Sequence, residues 1–198
     1  RVTILKDVQY VCTFPISEMD EDRLVKLMVG REIKGTYLKD PDTDCVVPSY
    51  FLGESGILLL KLKYNFNNSD ADKLYKIIKS NIQNPTLETL WGAPGSMLAA
   101  FHMNRIREDE RWVELIRENS DFLIRTLKEF NQKEHLIWEQ DLYGRKVHYV
   151  GAGHGYFGNI YPLLKCLKYL KDEDQKFILK SVLDTTKSLA VEEEGLVN

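Results

Sequence analysis

The chain has 198 residues, with 27 Lys and Arg against 30 Asp and Glu, which gives a formal net charge of -3. Apolar residues make up 43% and charged residues 29%, a composition typical of a soluble globular protein that needs no disulfide or metal to build its core. The slightly acidic balance and the lack of a basic stripe exclude a nucleic-acid-binding protein. No run reaches the ~18 consecutive apolar residues of a membrane span.

Cysteine usage indicates a reduced, cytoplasmic protein, because three distant cysteines form no CxxC pair: Cys12, Cys45 and Cys166. The four histidines form no close metal-ligand motif, so we predict no metal site within this chain. The sequence opens at Arg1 without a targeting signal. We expect residues 1–198 to be a single domain and a piece of a longer polypeptide.

In chain order, the first fourteen residues have the Val, Ile, Tyr and Thr content of an extended segment. Ser17 and the acidic residues after it predict a helix, and residues 39–48 predict a loop. From Ser49 onward the pattern predicts helices, with Ser69 or Asp70 capping the second. Their expected spans are 52–64, 70–84, 90–105, 108–127, 156–169 and 172–190, with a β-hairpin inserted near 136–150.

Helices that are apolar all round alternate with amphipathic ones along this part of the chain. Such alternation predicts inner helices packed in a ring and covered on all sides, with outer helices that bury one face only. The helices 52–64, 90–105 and 156–169 are the predicted inner ones. An irregular all-α bundle explains the alternation equally well.

A repeated glycine pair at the start of each predicted inner helix favours the ring. The pairs are Gly53/Gly56, Gly92/Gly95 and Gly155/Gly158, and repetition of one helix-pair unit is typical of a repeat architecture. Glycine lets the backbone approach its neighbours closely and leaves the first helix N–H groups uncovered. We therefore expect the three helix N-termini to line a cavity suited to an anion or a carbonyl oxygen.

These motifs resemble those of the lanthionine synthetase C-like (LanC-like) family. The resemblance rests on FLGESG at 51–56, LWGAPG at 90–95 and YVGAGHGYFG at 149–158, the last matching the family pattern GxxHGxxG. It runs from about Ser49 to the C-terminus. It implies an all-α fold, an incomplete α/α toroid that holds roughly the first half of seven inner and seven outer helices.

The resemblance also implies a chemistry. Family members add a thiol across a dehydroamino acid in a peptide, or act as glutathione transferases on similar electrophiles, with a zinc ion held by two cysteines and a histidine. The sequence contains no matching WCxG or CHG motif, so zinc is expected only in the full-length protein and this piece alone should be inactive. The expected partners are a dehydroamino-acid peptide or glutathione and the remainder of the polypeptide. Cyclases also tend to carry an acidic residue just ahead of the first glycine pair, where this chain has Ser49 or Tyr50.

His154 is the predicted catalytic residue, because its flanking glycines leave it open and the helix dipole disfavours the imidazolium form. A neutral imidazole can accept a thiol proton and return one to the α-carbon of the resulting enolate. A histidine that merely orders the turn is the alternative. The predicted substrate-binding residues are Gly53, Glu54, Trp91, Gly92, Tyr149, Gly155 and Tyr156. For Glu54, Trp91 and the two tyrosines, capping or packing explains the residue as well.

Three functions stay open from the sequence. The first is a thioether-forming enzyme, and the second is a non-catalytic peptide- or glutathione-binding protein with the same cavity. The third is a glycosidase, by analogy of fold alone, which requires two opposed carboxylates in the cavity. Only Glu54 is a candidate for those carboxylates, and we expect His102 to lie in the core and His148 to be exposed.

Overall fold

The computed structural model describes residues 1–6, 9–18, 23, 27, 47–129, 136–142, 144–190, 192–193 and 196–197. They fall into two compact units, residues 1–44 and 45–198. That residues 1–198 form a single domain stays a prediction. The helix predicted after Ser17 and the loop at 39–48 lie mostly outside the described residues, although Arg23 and Leu27 are helical.

The first unit contains an antiparallel hairpin of β1 (Val2–Lys6) and β2 (Gln9–Phe14). The register pairs Val2 with Phe14 and shifts between Ile4 and Leu5. A short 3-10 turn, Ile16–Glu18, follows the second strand. The predicted extended segment is therefore confirmed, as two paired strands.

The second unit is helical, as predicted. Its α-helices are α1 (Glu54–Tyr64), α2 (Asn68–Ser80), α3 (Ala93–Ile106), α4 (Glu110–Glu129), α5 (Tyr156–Cys166) and α6 (Asp172–Leu189). A 3-10 turn, Leu167–Tyr169, extends α5. The cap of α2 is Asn67, whose side chain accepts a hydrogen bond from the Asp70 amide, and not the predicted Ser69 or Asp70. Within the described residues, no helix combines the length and apolar character needed to cross a bilayer.

The helices are arranged in inner and outer rows. The inner helices α1, α3 and α5 pack side by side, and α2, α4 and α6 each pack against the inner helix that precedes them. Only α3 is buried nearly all round, because it has an inner helix on both sides. Helices α1 and α5 have one inner neighbour each and expose apolar side chains, namely Ile57, Leu60, Tyr64, Phe157 and Tyr161. These three inner–outer pairs confirm the predicted incomplete α/α toroid.

Two short strands lie between α4 and α5. Strands β3 (Gln140–Leu142) and β4 (Arg145–Val147) pair antiparallel, and Gly144 has a positive φ of 74° in the turn, which glycine adopts without strain. The hairpin is shorter than the predicted 136–150, because Trp138 enters the core instead. A further pair, β5 (Glu192–Glu193) and β6 (Leu196–Val197), was not predicted.

Candidate active site

Each inner helix begins at the first glycine of a pair, as predicted. Gly53, Gly92 and Gly155 are the N-caps of α1, α3 and α5, all with extended backbone and no side-chain cap. The second glycine of each pair lies against the carbonyl oxygen of the residue six positions earlier. A Cβ added at Gly56, Gly95 or Gly158 would lie 2.3, 2.2 or 2.1 Å from that oxygen. The loop before each helix is thus folded tightly onto its first turn, which only glycine permits.

We expect Gly158→Ala to destabilise the protein by about 2 kcal/mol or more, because the new methyl group would meet backbone that cannot move away. It would lie 2.1 Å from the Ala152 carbonyl oxygen and 2.5 Å from the Thr89 hydroxyl. Gly153→Ala is the matched control, since nothing lies within 4 Å of its added Cβ. Urea unfolding measures both changes, and equal midpoints would contradict the role of close approach.

The three glycine turns are adjacent. A Cβ at Gly95 would be 3.5 Å from Cβ of Tyr50, in the first turn, and one at Gly158 would meet Thr89, in the second. The Asn159 side chain, in the third, accepts a hydrogen bond from the Thr89 hydroxyl at 3.3 Å and donates one to the Leu87 carbonyl at 2.6 Å. The predicted gathering of the helix N-termini at one end is therefore confirmed.

The N–H groups of these termini are less open than predicted. At α5, the amides of Tyr156, Phe157 and Gly158 donate to the carbonyls of the loop before them, at 3.0, 3.1 and 3.3 Å. At α1, the Glu54 amide donates to the Val47 carbonyl at 2.9 Å. The prediction of uncovered donors for an anion is wrong at these positions, because the same fold-back that requires glycine also brings carbonyl groups onto the amides.

His154 lies directly before α5, and its side chain is half exposed. Its Nδ1 atom is 2.9 Å from Oε2 of Glu88, whose side chain is 0% exposed. The Glu88 carboxylate also accepts a hydrogen bond from the Trp91 amide. A buried carboxylate bonded to Nδ1 fixes the orientation of the imidazole and directs Nε2 away from the pair, which is the arrangement of a histidine used for proton transfer.

A buried polar network holds the segment that carries Glu88. Leu87 has a positive φ of 45°, which is rare for a residue with a branched side chain. Its carbonyl accepts hydrogen bonds from the amides of two fully buried side chains, Asn159 at 2.6 Å and Gln140 at 3.3 Å. Gln140 in turn accepts a hydrogen bond from the Tyr149 amide at 3.3 Å. The network joins the second and third glycine turns to β3 and sets the position of Glu88 against His154.

Burial raises the pKa of the Glu88 carboxyl above its ordinary value of 4.5, against the lowering effect of the Trp91 and Leu90 amides and of His154. Desolvation disfavours the charged carboxylate, whereas the amide donors and a protonated imidazole favour it. For Glu88, the effect of burial is larger than that of these donors.

An open pocket of about 930 Å³ lies on the solvent side of His154. Tyr149, predicted to bind substrate, lines this pocket together with His154 and is 49% exposed. The rest of the lining is mostly apolar and comes from the hairpin and the third glycine loop: Leu142, Arg145, Val147, Val150, Gly151 and Gly153. The pocket is therefore an apolar depression with an imidazole at its edge.

Three predicted substrate-binding residues have other contacts. Tyr156 does not line the pocket and follows the packing alternative, because its side chain is fully buried, its hydroxyl lies 3.0 Å from that of Ser181, and its ring packs on Trp138. Glu54 is paired with Lys73 of α2 and joins inner helix to outer helix. Trp91 contributes to the site through its backbone. Its amide donates a hydrogen bond to the Glu88 carboxylate, and its carbonyl accepts one from the Asn81 side chain at 3.0 Å. His148 is exposed, as predicted. The core position predicted for His102 is wrong, because its side chain is half-buried and lines a cavity.

Glu88, Asn159 and Gln140 were not predicted from the sequence. The sequence does hold a signal for Glu88, which lies four residues before the second glycine pair, at the place that Ser49 holds before the first. Spatial adjacency of the turns, which the sequence does not state, is what brings Glu88 to His154.

The described residues do not fit the zinc site that the resemblance implies. Cys166 is fully buried, and burial raises the pKa of its thiol to about 12, whereas zinc requires a thiolate. Cys45 lies outside the described residues. No cluster of three or more His, Cys, Asp or Glu side chains suited to a metal occurs within the described ranges.

The family model for lanthionine synthetase C-like proteins matches residues 47–196, which contain all three glycine turns and the Glu88–His154 pair. The chain belongs to the lanthionine synthetase C-like family. The match covers the helical unit and explains its three inner–outer helix pairs, since the family fold is an α/α toroid. It begins where the described part of the second unit begins.

Two sugar-import proteins are similar to this chain over a short stretch. The chain is 54% identical over 39 residues to a ribose import ATP-binding protein of Rubrobacter xylanophilus, which is 20% of this chain. It is 52% identical over 44 residues, or 22% of the chain, to one of Shouchella clausii. The chain spans only 8% of the length of either relative. The activity in the names of these relatives therefore stays a statement about those proteins.

Proposed function

We propose that this LanC-like protein takes part in adding a thiol to a dehydroamino acid in a peptide, with His154 as the proton-transfer residue. The observation that carries the proposal is the 2.9 Å contact between His154 Nδ1 and the fully buried Glu88 carboxylate. A proton held on Nδ1 leaves the Nε2 lone pair free toward the pocket. The residue is then able to act as a base and, once protonated, as an acid.

The reaction requires one proton to leave sulfur and one to reach carbon. Nε2 accepts the thiol proton, and the thiolate forms a bond to the β-carbon of the dehydroamino acid. The electron pair of the carbon–carbon double bond moves to give an enolate on the adjacent carbonyl. The imidazolium Nε2–H then protonates the α-carbon, which completes the thioether and restores the neutral imidazole. Glu88 stabilises the imidazolium between the two transfers.

The pocket supports a peptide substrate. Its apolar lining and the exposed Tyr149 ring offer a surface for side chains next to the dehydroamino acid, and Arg145 offers a cation for a carboxylate, such as those of glutathione. Zinc in the full-length protein stays a prediction from the family, and no step above uses it. A glycosidase is disfavoured, because the described residues that line the pocket include no carboxylate and the reaction requires two.

His154→Ala in the full-length protein tests the proposal. Glutathione, a thiol that is mostly protonated at neutral pH, supplies the nucleophile, so that the assay depends on both proton transfers through Nε2. We expect thioether formation on a dehydroalanine peptide, measured by mass spectrometry, to slow by about a hundredfold or more. His148→Ala is the control, since His148 is half exposed and lies 3.8 Å from Glu139 instead.

Unchanged turnover in a folded His154→Ala protein would remove His154 from the mechanism. Peptide binding without any thioether product in the unmodified protein would instead support the second candidate, a binding protein with the same pocket.

A further inference from the structure

A second cavity, of about 440 Å³, lies between α1 and α3, apart from the Glu88–His154 pair. Tyr50, Lys63, His102 and Arg105 supply its polar lining, and Leu59, Leu60 and Ile106 its apolar walls. The His102 ring stacks on Tyr50, with centroids 6.1 Å apart and 24° between the planes. We call this cavity the basic groove.

Three cations belong to the basic groove or its edge. Lys63 and Arg105 line it, and Lys165 of α5 is close enough to His102 to act on its titration. None of the three has a carboxylate partner among the described residues. Many other cations of the same unit do, including Lys61 with Asp70, Lys73 with Glu54 and Lys79 with Glu118.

The dipole of each helix explains a cation in its last turn, which is where Lys63, Arg105 and Lys165 lie. Lys63 lies over the Tyr64 ring at 5.7 Å and Arg105 over the Phe101 ring at 5.9 Å, but these rings supply no counter-charge for two cations that line one cavity. Like charges gathered without a counter-ion raise the energy of the folded state. An anion in the groove would remove that cost.

The half-buried His102 lies in the positive potential of these cations. Burial lowers the pKa of its imidazole, and Arg105 and Lys165 lower it further. Tyr50 and Tyr161 also face this region, and burial together with the neighbouring Tyr161 raises the pKa of the Tyr50 hydroxyl. The Tyr50 phenol therefore stays neutral and is able to donate a hydrogen bond to an anion.

We propose that the basic groove binds a small organic anion, a phosphate monoester or carboxylate with a flat apolar body. The anionic group would contact Lys63 and Arg105, as charge-assisted hydrogen bonds require. The apolar body would pack on the Tyr50–His102 stack and against Leu60, which is 58% exposed without a ligand. The groove shares no residue with the pocket at His154, so its ligand is separate from the peptide of the proposed function.

Phenyl phosphate, inorganic phosphate and benzyl alcohol are the probes, and proton NMR of the histidine side chains is the readout. The His102 signal is assigned by its loss in His102→Asn. We expect saturable shifts of that signal with phenyl phosphate, weaker binding of inorganic phosphate and no binding of benzyl alcohol. The bound anion favours the imidazolium form, so the titration midpoint of His102 should rise on binding.

The double variant Lys63→Gln with Arg105→Gln should weaken phenyl phosphate binding by about tenfold or more. The matched control is Lys79→Gln with Lys146→Gln, which removes the same charge from exposed lysines paired with Glu118 and Glu139. Equal weakening in both double variants, or no saturable shift of His102, would overturn the proposal. Neither result bears on thioether formation, which depends on Glu88 and His154.

Discussion

Replacing Glu88 with glutamine is expected to reduce thioether formation by about 10²- to 10⁴-fold while leaving the protein folded. The amide has the shape of the carboxylate, so its oxygen is still able to accept the hydrogen bond from the Trp91 amide. Its NH₂ group, however, donates to Nδ1 of His154, 2.9 Å from the present Oε2. The imidazole proton then moves to Nε2, and the atom that faces the pocket can no longer accept the thiol proton.

Nitrogen NMR of the imidazole distinguishes this effect from simple damage. We expect the Glu88→Gln protein to carry its imidazole proton on Nε2 and the unmodified protein to carry it on Nδ1. Glu118→Gln is the control, because Glu118 pairs with Lys79 on the outer helices and should change neither the tautomer nor the rate. Full activity together with a switched tautomer would contradict the role given to Glu88.

Glu88→Gln is expected to lower the activity without lowering the free energy of unfolding. Because the folded-state pKa of Glu88 is raised above 4.5, the folded protein binds more protons than the unfolded chain between the two pKa values. The free energy of unfolding therefore falls as the pH rises through that window. Above the folded-state pKa, the free-energy cost of burying the charged carboxylate no longer changes with pH. Glutamine has no charge to desolvate, so we expect Glu88→Gln to be at least as stable as the unmodified protein near neutral pH.

Urea unfolding at about pH 4 and about pH 7 tests this, since the advantage of the glutamine variant should grow with pH. An advantage that shrinks between the two values would mean that the amides and His154 stabilise the carboxylate more than burial disfavours it.

The repeat of glycine pairs predicted the helical rows and the common end of the inner helices. It did so because a glycine pair reflects a local requirement, the fold-back of a loop onto the first turn of its own helix. The paired residues themselves, Glu88 and His154, are 66 positions apart in the sequence. Their contact depends on which turns are neighbours, and nothing in either local pattern states that order.

The local sequence patterns also predicted the burial of individual side chains incorrectly. Tyr156 lies directly beside the glycine motif and is fully buried, whereas Tyr149, seven residues earlier, is half exposed. The first turn of α5 directs Tyr156 toward Trp138 and Ser181. Likewise α1, with an apolar sequence throughout, exposes Ile57 and Leu60, because it packs against one inner helix among the described residues.

Trp138→Ala is expected to lower the free energy of unfolding by about 3 to 5 kcal/mol. The side chain is fully buried, its ring packs on Tyr156 with centroids 5.5 Å apart, and its indole N–H donates to the Leu123 carbonyl at 3.0 Å. It lies two residues before Gln140, so it also holds the entry to β3 in place. Alanine would leave a cavity between α4 and α5 and remove one donor from the Leu123 carbonyl, which still accepts a hydrogen bond from the Thr126 hydroxyl at 3.0 Å.

Trp138→Phe separates the two contributions, because phenylalanine keeps most of the packing and loses the N–H donor. We expect it to cost about 1 to 2 kcal/mol, the range for a lost buried hydrogen bond. Thioether formation by the folded fraction should fall further in Trp138→Ala than in Trp138→Phe, because Gln140 holds the Leu87 carbonyl and thereby Glu88. A Trp138→Ala protein with unchanged stability would show that the core between α4 and α5 does not depend on this ring. It would also contradict the link from the hairpin to Glu88.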